Sequence, residues 1–499
     1  MIKLTTLFLL LLETYNLLGN NINKEYTLWY NRPAFNRGGD FTYPVARGYP
    51  YDEDWERWSL PIGNGSMGAC IFGRTDIERI QLSEKTLGNK GPYQFGGFTN
   101  FAEIYIDVNH NYSKNYKRTL NLNEAISTVN YQYENVEYTR EYFANYPSQI
   151  IAVKLKADKP GMISFTIRPT IPYLKPFDKE QNGRSGHVQV LPGLITMTGN
   201  IQYYDLDYEA QIKIVNYNGT LTCKNENKQN GIIEVTDADS VVLYITAATS
   251  YQLQENVFLR PNTAKFKGNV HPHSLITNRI KEAVGKGYEF LRKEHIVDYQ
   301  YFFNRVDLQL TDRIPAIPTD KLLSQYRSGK HDTYLEELFF QYGRYLLIAS
   351  SRNGSLPANL QGVWTQYDFS PWSGGYWHNI NIQMNYWHVF NTNLSELFNP
   401  YMEYNETFRK AGVQKAIDYI TRHNPTALNP INEENGWTIG TGATAFNIEA
   451  PGGHSGPGTG GFTTKLFWDY YDFTRDTQLL KEHVYPCLLY TSPSPRDST

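Results

Sequence analysis

The chain has 499 residues, a formal net charge of −3, 19% charged residues and 40% hydrophobic ones. That length implies about two to four domains with apolar content enough for packed cores. The near-neutral balance, with no basic face or acidic tail, excludes electrostatic recruitment to nucleic acid or to an anionic membrane.

The first residues read MIKLTTLFLLLLETYNLLGNN. Lys3 precedes an apolar run, Leu4 to Leu12, followed by small and polar residues near Gly19. This layout predicts a signal peptide over 1–19 and a secreted, extracellular product that is free of the membrane after cleavage. The rival is a membrane-anchored N-terminus, for which the run is short. Six sequons, at Asn64, Asn111, Asn218, Asn353, Asn393 and Asn405, fit secretion. The cysteines, Cys70, Cys223 and Cys487, suggest neither a disulfide framework nor a zinc site.

From about Glu25 to Gln252 the pattern is strand-like. Ile150–Ala157, Met162–Pro169, Tyr208–Val215 and Ser240–Ala247 are β-branched or alternating. Asn218-Gly219 and Asn230-Gly231 carry the signature of type I′ hairpins. Many strands without interleaved helices predict an antiparallel β-sandwich domain over 20–270. The period then changes. Thr277–Val306 reads as a linker helix within a helical linker over 271–318. Asp332–Gly354 reads as a helix with a capping box at Thr333 and Glu336 and a stripe of Leu335, Leu338, Phe339, Tyr342 and Leu346. Tyr401–His423, Thr463–Phe473 and Gln478–Val484 continue the series. Helices joined by long Gly- and aromatic-rich loops predict part of an α/α toroid over 319–486. The fold class is thus multidomain β + α. The segment Cys487–Asp497 looks like translated read-through of a sequencing adapter, so 487–499 is expected to be a non-native tail on a chain that naturally continues.

Several motifs point elsewhere and fail. Gly456, Gly458 and Gly461 satisfy G-x-G-x-x-G, but NIEAPGGHS before them is no buried strand, so a dinucleotide loop is not supported. No G-x-S-x-G elbow and no H-E-x-x-H spacing occurs. The expectation is a site without metal or nucleotide cofactor. A 15% aromatic share with 39 Tyr suits stacking on sugar faces, or reflects a compositional bias of the source.

The densest concentration of uncharged hydrogen-bonding groups and rings is PWSGGYWHNINIQMNYWHVFNTN, Pro371–Asn393. Asn379, Asn381, Gln383 and Asn385 alternate with apolar residues and share one face in extended backbone. In a helix Asn379 and Asn381 would point about 200° apart. Two amides aimed at one pocket therefore predict extended or loop backbone there, with the helix starting near Ile382. An amide cannot act as a general base. Its carbonyl can orient a water, and its NH₂ can donate to a carboxylate or a sugar hydroxyl. The alternative is an amide ladder that only ties loops together.

This stretch resembles the signature of glycoside hydrolase family 95, whose activities centre on α-L-fucosidase, with α-L-galactosidase also found. Leu356–Trp364, Asn379–Trp387 and Thr392–Tyr401 follow that family's pattern in order. So do Leu60–Gly73, Glu78–Leu87, Tyr138–Pro147 and Phe467–Asp476. The resemblance implies an N-terminal β-sandwich, a linker and an (α/α)6 barrel, here truncated. It implies inverting, exo-acting hydrolysis of terminal α-L-fucosyl groups on an oligosaccharide or polysaccharide. A Glu would protonate the leaving oxygen, and two Asn with an Asp would hold and activate the water. The Asn pair corresponds to Asn379 and Asn381. Trp364, Trp377, His378 and Trp387 are the candidate substrate-binding residues. Trp377 stands where the family often has His, Ser83 replaces a frequent Asn, and Leu87 sits where Trp is common. The acid and the base-side Asp would lie beyond Pro486, so the chain itself is expected to be inactive. The other readings are an α-L-galactosidase, a phosphorylase of similar architecture and a non-catalytic glycan-binding protein.

Overall fold

The computed structural model describes residues 24–36, 52–91, 94–176, 183–225, 227, 230–452 and 458–489. The 1–19 segment, most of the tail after Leu489 and Gly456 lie outside the described residues.

Residues 27–249 form two large antiparallel sheets and a small two-stranded one, Gly88–Asn89 with Gly97–Phe98. The larger has nine strands in the order Thr27–Tyr30, Lys114–Asn121, Ile126–Tyr133, Val136–Asn145, Ile150–Ala157, Ser240–Thr249, Leu206–Tyr217, Leu194–Ile201 and Arg184–Leu191. The second large sheet has seven: Thr220–Asn225, Gly231–Ala238, Ile163–Thr170, Ala102–Asp107, Ile77–Glu84, Met67–Ile71 and Leu60–Gly63. The run IIAVKLKA lies on the predicted residues and shows why it is so continuously apolar. Ile151, Val153 and Leu155 point into the sandwich core. Ile150 and Ala152 join Phe143, Val242 and Tyr244 on the outer face, which packs against Ile280, Ala283, Tyr288 and Leu291. A strand buried on both sides loses the polar alternation of a half-exposed one. Asn218 and Gly219 both have positive φ, 58° and 69°, as a type I′ turn requires. Asn230 and Gly231 do not; Gly231 already opens a strand.

Charge inside the sandwich is paired. The fully buried Arg79 donates to Asp52 at 2.6 Å and to Glu103 at 2.7 Å. Arg140 and the Tyr142 hydroxyl both donate to Glu78.

The helical part departs from its sequence pattern in particular places. The predicted linker helix is two helices, His273–Lys286 and Tyr288–Phe303, broken at Gly287, whose φ of 78° and ψ of 162° fit no helix. The helix Thr333–Ser350 is capped by Asp332, which accepts from the Leu335 N–H at 3.0 Å, and not by Thr333. Glu336 accepts instead from the Tyr326 hydroxyl at 2.8 Å. Phe339, assigned to the apolar stripe, is 78% exposed. The buried face carries Glu337, Gln341 and Arg344, a polar i, i+4, i+7 row. Glu337 accepts from Lys24 and from the Thr311 N–H. Arg344 satisfies the carbonyls of Phe302, Phe303 and Val306, closing the helix Tyr288–Phe303. Helices Asn399–His423 and Thr459–Thr474 follow, then a helical run from Thr477 to Leu489. Cys487, where the tail was expected to begin, is buried, and its carbonyl accepts from the Trp437 indole at 3.2 Å. Two sequons are closed: the Asn64 and Asn405 amides are buried and donate to the Asn145 and Tyr401 carbonyls. Asn111, Asn218, Asn353 and Asn393 are exposed.

The architecture is an N-terminal antiparallel β-sheet domain followed by a helical domain. Among the described residues no helix is long and apolar enough to cross a membrane.

Candidate functional site

The loops between helices Thr333–Ser350 and Asn381–Tyr386 are shaped from outside, by the seven-stranded sheet and its turns. Lys85 is buried and donates to the Leu356 carbonyl at 2.7 Å and to that of Ser350. Trp364 is buried, and its indole N–H donates to the Ile62 carbonyl at 2.8 Å. Its ring lies where Gly63 and Gly68 leave room: a Cβ on Gly68 would sit 2.8 Å from Trp364 Cδ1 and Nε1. The Ser83 hydroxyl accepts from the Thr365 N–H at 3.0 Å and donates to the Thr365 carbonyl at 3.1 Å. Gln81 donates to the same carbonyl at 2.6 Å. The Asn100 amide donates to the Gln366 carbonyl, Lys175 pairs with Asp368 at 2.6 Å, and the Ser370 N–H donates to the Phe98 carbonyl.

The chain then makes a tight turn at PWSGG. Trp372, Ser373 and Gly374 have φ of 49°, 63° and 54°. Two consecutive non-glycine residues in the left-handed region cost about 1–2 kcal/mol each, so the turn stands only because its surroundings fix it. The Trp372 carbonyl accepts from the Gly375 N–H at 3.2 Å and from the Trp377 indole N–H at 2.9 Å. Gly374 fits where a Cβ would lie 2.8 Å from Gln361 Oε1 and Phe98 Cβ.

Past the turn, Tyr376 and His378 donate their N–H groups to the carbonyls of Ala443 and Thr441, both at 2.7 Å. This extended piece ends at Ile380 (φ −174°, ψ −39°), and the helix begins at Asn381, one residue before the expected start. Asn379 is exposed and Asn381 half-buried. Neither side chain makes a hydrogen bond to another described residue, so the amide-ladder alternative does not describe them. Beneath them His378 is fully buried, with Nδ1 3.0 Å from the Thr463 hydroxyl. Its carbonyl accepts from the Gln383 amide at 2.7 Å. Burial pushes the His378 imidazole down to about 3, so it is neutral at ordinary pH. His378 Nε2, Gln383 Oε1 and Thr441 Oγ1 are buried without a partner among the described residues.

The facing loop, Gly440–Glu449, is folded back on itself by the bonds Gly440 N–H to Glu449 O and Thr444 N–H to Asn447 O. It is fixed to the sandwich by Phe446 stacked on Tyr204, centroids 4.4 Å apart, and by Thr444 and Asn447 donating to the Phe95 carbonyl.

The structure thus leaves Asn379 exposed and Trp377 and Asn381 partly exposed along one short segment. His378 turns inward, Trp364 is a strut between sandwich and loop, and Trp387 is half exposed. A cavity of about 540 Å³ lies between sandwich and helices, lined among others by Trp55, Gln361, Trp364, Asn385 and His388. Asn379 and Asn381 do not line it. Trp372 was missed by motif reading. The Pro-x-Ser-Gly-Gly turn signal could have marked it as displayed.

Comparison with known proteins bears on this arrangement. Residues 287–492 match the glycosyl hydrolase family 95 catalytic domain, and residues 28–94 and 88–254 match the N-terminal domain of glycosyl hydrolase family 65. The chain is 28% identical to Alpha-L-fucosidase 2 of Arabidopsis thaliana, over 92% of this chain and 59% of that protein. It is 27% identical to "Probable alpha-fucosidase A" of Aspergillus niger, over 86% of this chain and 57% of that protein. The chain therefore spans less than two thirds of the length of these relatives. A solved structure assigned as a kojibiose phosphorylase, from the human microbiome, superposes with a TM-score of 0.55 at 10% identity, covering 86% of this chain and 56% of that one; this is a likeness of fold. The domain match covers the Asn379–Trp387 signature and both flanking helices, and the named relatives extend the similarity into the sandwich, so the comparisons support assigning residues 287–492 to the glycosyl hydrolase family 95 catalytic domain.

Proposed function

We propose that this protein is a secreted, inverting exo-glycosidase that hydrolyses terminal α-L-fucosyl residues from glycans. The fucosyl preference rests on the two relatives named as α-fucosidases. Secretion rests on the N-terminal apolar run and on four sequons at exposed asparagines. The observation that carries the chemistry is the pair Asn379 and Asn381, open to solvent on a backbone fixed from both sides.

Inversion needs a water on the face of the sugar opposite the leaving oxygen, with acid and base sides about 6.5–9.5 Å apart. The Asn379 and Asn381 carbonyl oxygens accept from that water and orient one lone pair at the anomeric carbon. Their NH₂ groups donate to the base-side carboxylate or to a sugar hydroxyl. Neither amide takes the proton. The family resemblance assigns protonation of the leaving oxygen to a Glu and activation of the water to an Asp. General acid–base assistance contributes roughly 10²–10⁴-fold in rate.

The test is binding of L-fucose to the whole chain, followed by saturation-transfer NMR, with L-galactose as competitor. Wild type should bind L-fucose, and an Asn379→Ala/Asn381→Ala variant should lose at least about tenfold in affinity at an unchanged melting temperature. No binding by wild type, or equal binding by the variant, refutes the reading. Stronger binding of L-galactose favours the galactosidase alternative.

A further inference from the structure

Trp372 is the most exposed tryptophan of the described residues, at 68%, and makes no ring contact with any of them. An unsupported indole in water is not what burial of apolar surface would produce. Nor is its position loose. Its backbone and that of Ser373 are held in the left-handed region, and its carbonyl is fixed by Gly375 N–H and by the Trp377 indole. The Gln361 amide lies 3.4 Å from the Pro371 carbonyl, and Gly374 is wedged against Phe98 and Gln361. The far end of this clamp, Trp377, stands two residues before Asn379. The fold therefore holds one flat apolar face rigidly in solvent, coupled directly to the segment that carries the amide pair.

We infer that Trp372 is a stacking platform for a second sugar ring, the one joined through the glycosidic oxygen to the terminal residue held beside Asn379 and Asn381. A pyranose offers an apolar C–H face to an indole and keeps its hydroxyls in water, so the contact needs no enclosing pocket. It needs only a ring at fixed height and angle, which the left-handed turn supplies. A terminal monosaccharide alone does not reach the platform. Trp372 therefore selects for chain length and for the geometry of the linkage, and it leaves recognition of the terminal sugar to the amide pair. This inference rests on the proposed reading of Asn379 and Asn381 as the terminal-sugar site.

The experiment compares L-fucose with an α-L-fucosyl-galactose disaccharide, each titrated into the whole chain by saturation-transfer NMR. Wild type, Trp372→Ala, Trp372→Phe, Trp372→Gln and Phe339→Ala are tested, with melting temperatures as a folding control. Trp372→Ala should weaken the disaccharide about tenfold and leave L-fucose unchanged. Trp372→Phe keeps an aromatic face and should restore most of the affinity. Phe339→Ala, which removes an exposed ring on helix Thr333–Ser350, should behave as wild type with both sugars. Equal effects of Trp372→Ala on both sugars, or no effect on either, overturn the platform while leaving the terminal-sugar reading intact. Failure of wild type to bind either sugar overturns both. Should Trp372→Ala melt early, Trp372→Gln, which keeps bulk but has no flat face, decides at a normal melting temperature: an about tenfold loss for the disaccharide alone supports the platform, whereas a shared loss or none refutes it.

Discussion

Gly68→Ala adds one carbon to the wall on which the Trp364 strut rests. The new Cβ would meet Trp364 Cδ1, Trp364 Nε1 and Val363 Cγ1, each at 2.8 Å, inside a strand paired on both sides to Gly63 and Ser83. Overpacking of this kind costs about 1–3 kcal/mol. About 0.4–1 kcal/mol returns because alanine has less unfolded-chain entropy to lose than glycine. The net expectation is about 1–2 kcal/mol, and each kcal/mol lowers the melting temperature of a unit of this size by about 2–4 °C. Trp364→Ala is itself destabilising, by about 3–5 kcal/mol for a buried indole. In that background two of the three close contacts are gone, so Gly68→Ala should cost about 1 kcal/mol less than in wild type. Scanning calorimetry on the four proteins of the cycle measures this. The same drop in both backgrounds, or none in wild type, refutes the claim that Trp364 is wedged against Gly68.

Other outcomes follow from burial. Arg79→Met leaves Asp52 and Glu103 buried with their principal cation removed; urea unfolding should show a loss of about 3–5 kcal/mol, and a loss below about 1 kcal/mol contradicts the network. His378 is held neutral with its folded pKa lowered to about 3 against an unfolded value of 6.5. Between these values the unfolded chain binds the extra proton, so stability falls as pH drops from 6.5 towards 3, by up to about 1.4 kcal/mol per pH unit for this group. His378→Asn removes that dependence, and the stability gap between wild type and variant should narrow on acidification. A gap constant from pH 7 to pH 4 would show that His378 is not a buried neutral imidazole.

The sequence carried the strands where burial is uniform along them, as in Ile150–Ala157, and the helices where Asn399–His423 and Thr459–Thr474 now stand. It misled wherever a distant residue decided the local outcome. Leu335, Leu338, Tyr342 and Leu346 of the stripe on Thr333–Ser350 do pack on the core, but no local rule shows that Lys24 and the Thr311 backbone will satisfy Glu337, or that Arg344 will cap another helix, so the buried polar row beside the stripe went unread. Phe339 was misplaced for the same reason. Gly287 sat inside a good helical pattern, and only its φ marks the break. At the site, the alternating pattern led to extended or loop backbone at Asn379 and Asn381, with His378 among the sugar-contacting candidates, whereas the helix already starts at Asn381 and His378 is buried. The pattern could not reveal that His378 faces Thr463, since that contact spans 85 residues. Trp364 was nominated for its motif, yet its indole N–H is consumed by Ile62, a role that belongs to the sheet and not to the loop that carries it.

The bonds from Gln81, Ser83, Lys85, Asn100 and Lys175 into residues 350–368 mean that the sandwich acts as a mould in which the loops leading to Asn379 and Asn381 are cast. Expressing the helices alone would discard the template together with the wall, leaving those loops with no shape of their own. Hinge motion between the two parts would smear that surface as well, so rigidity at this seam is a condition for any selectivity the loops express.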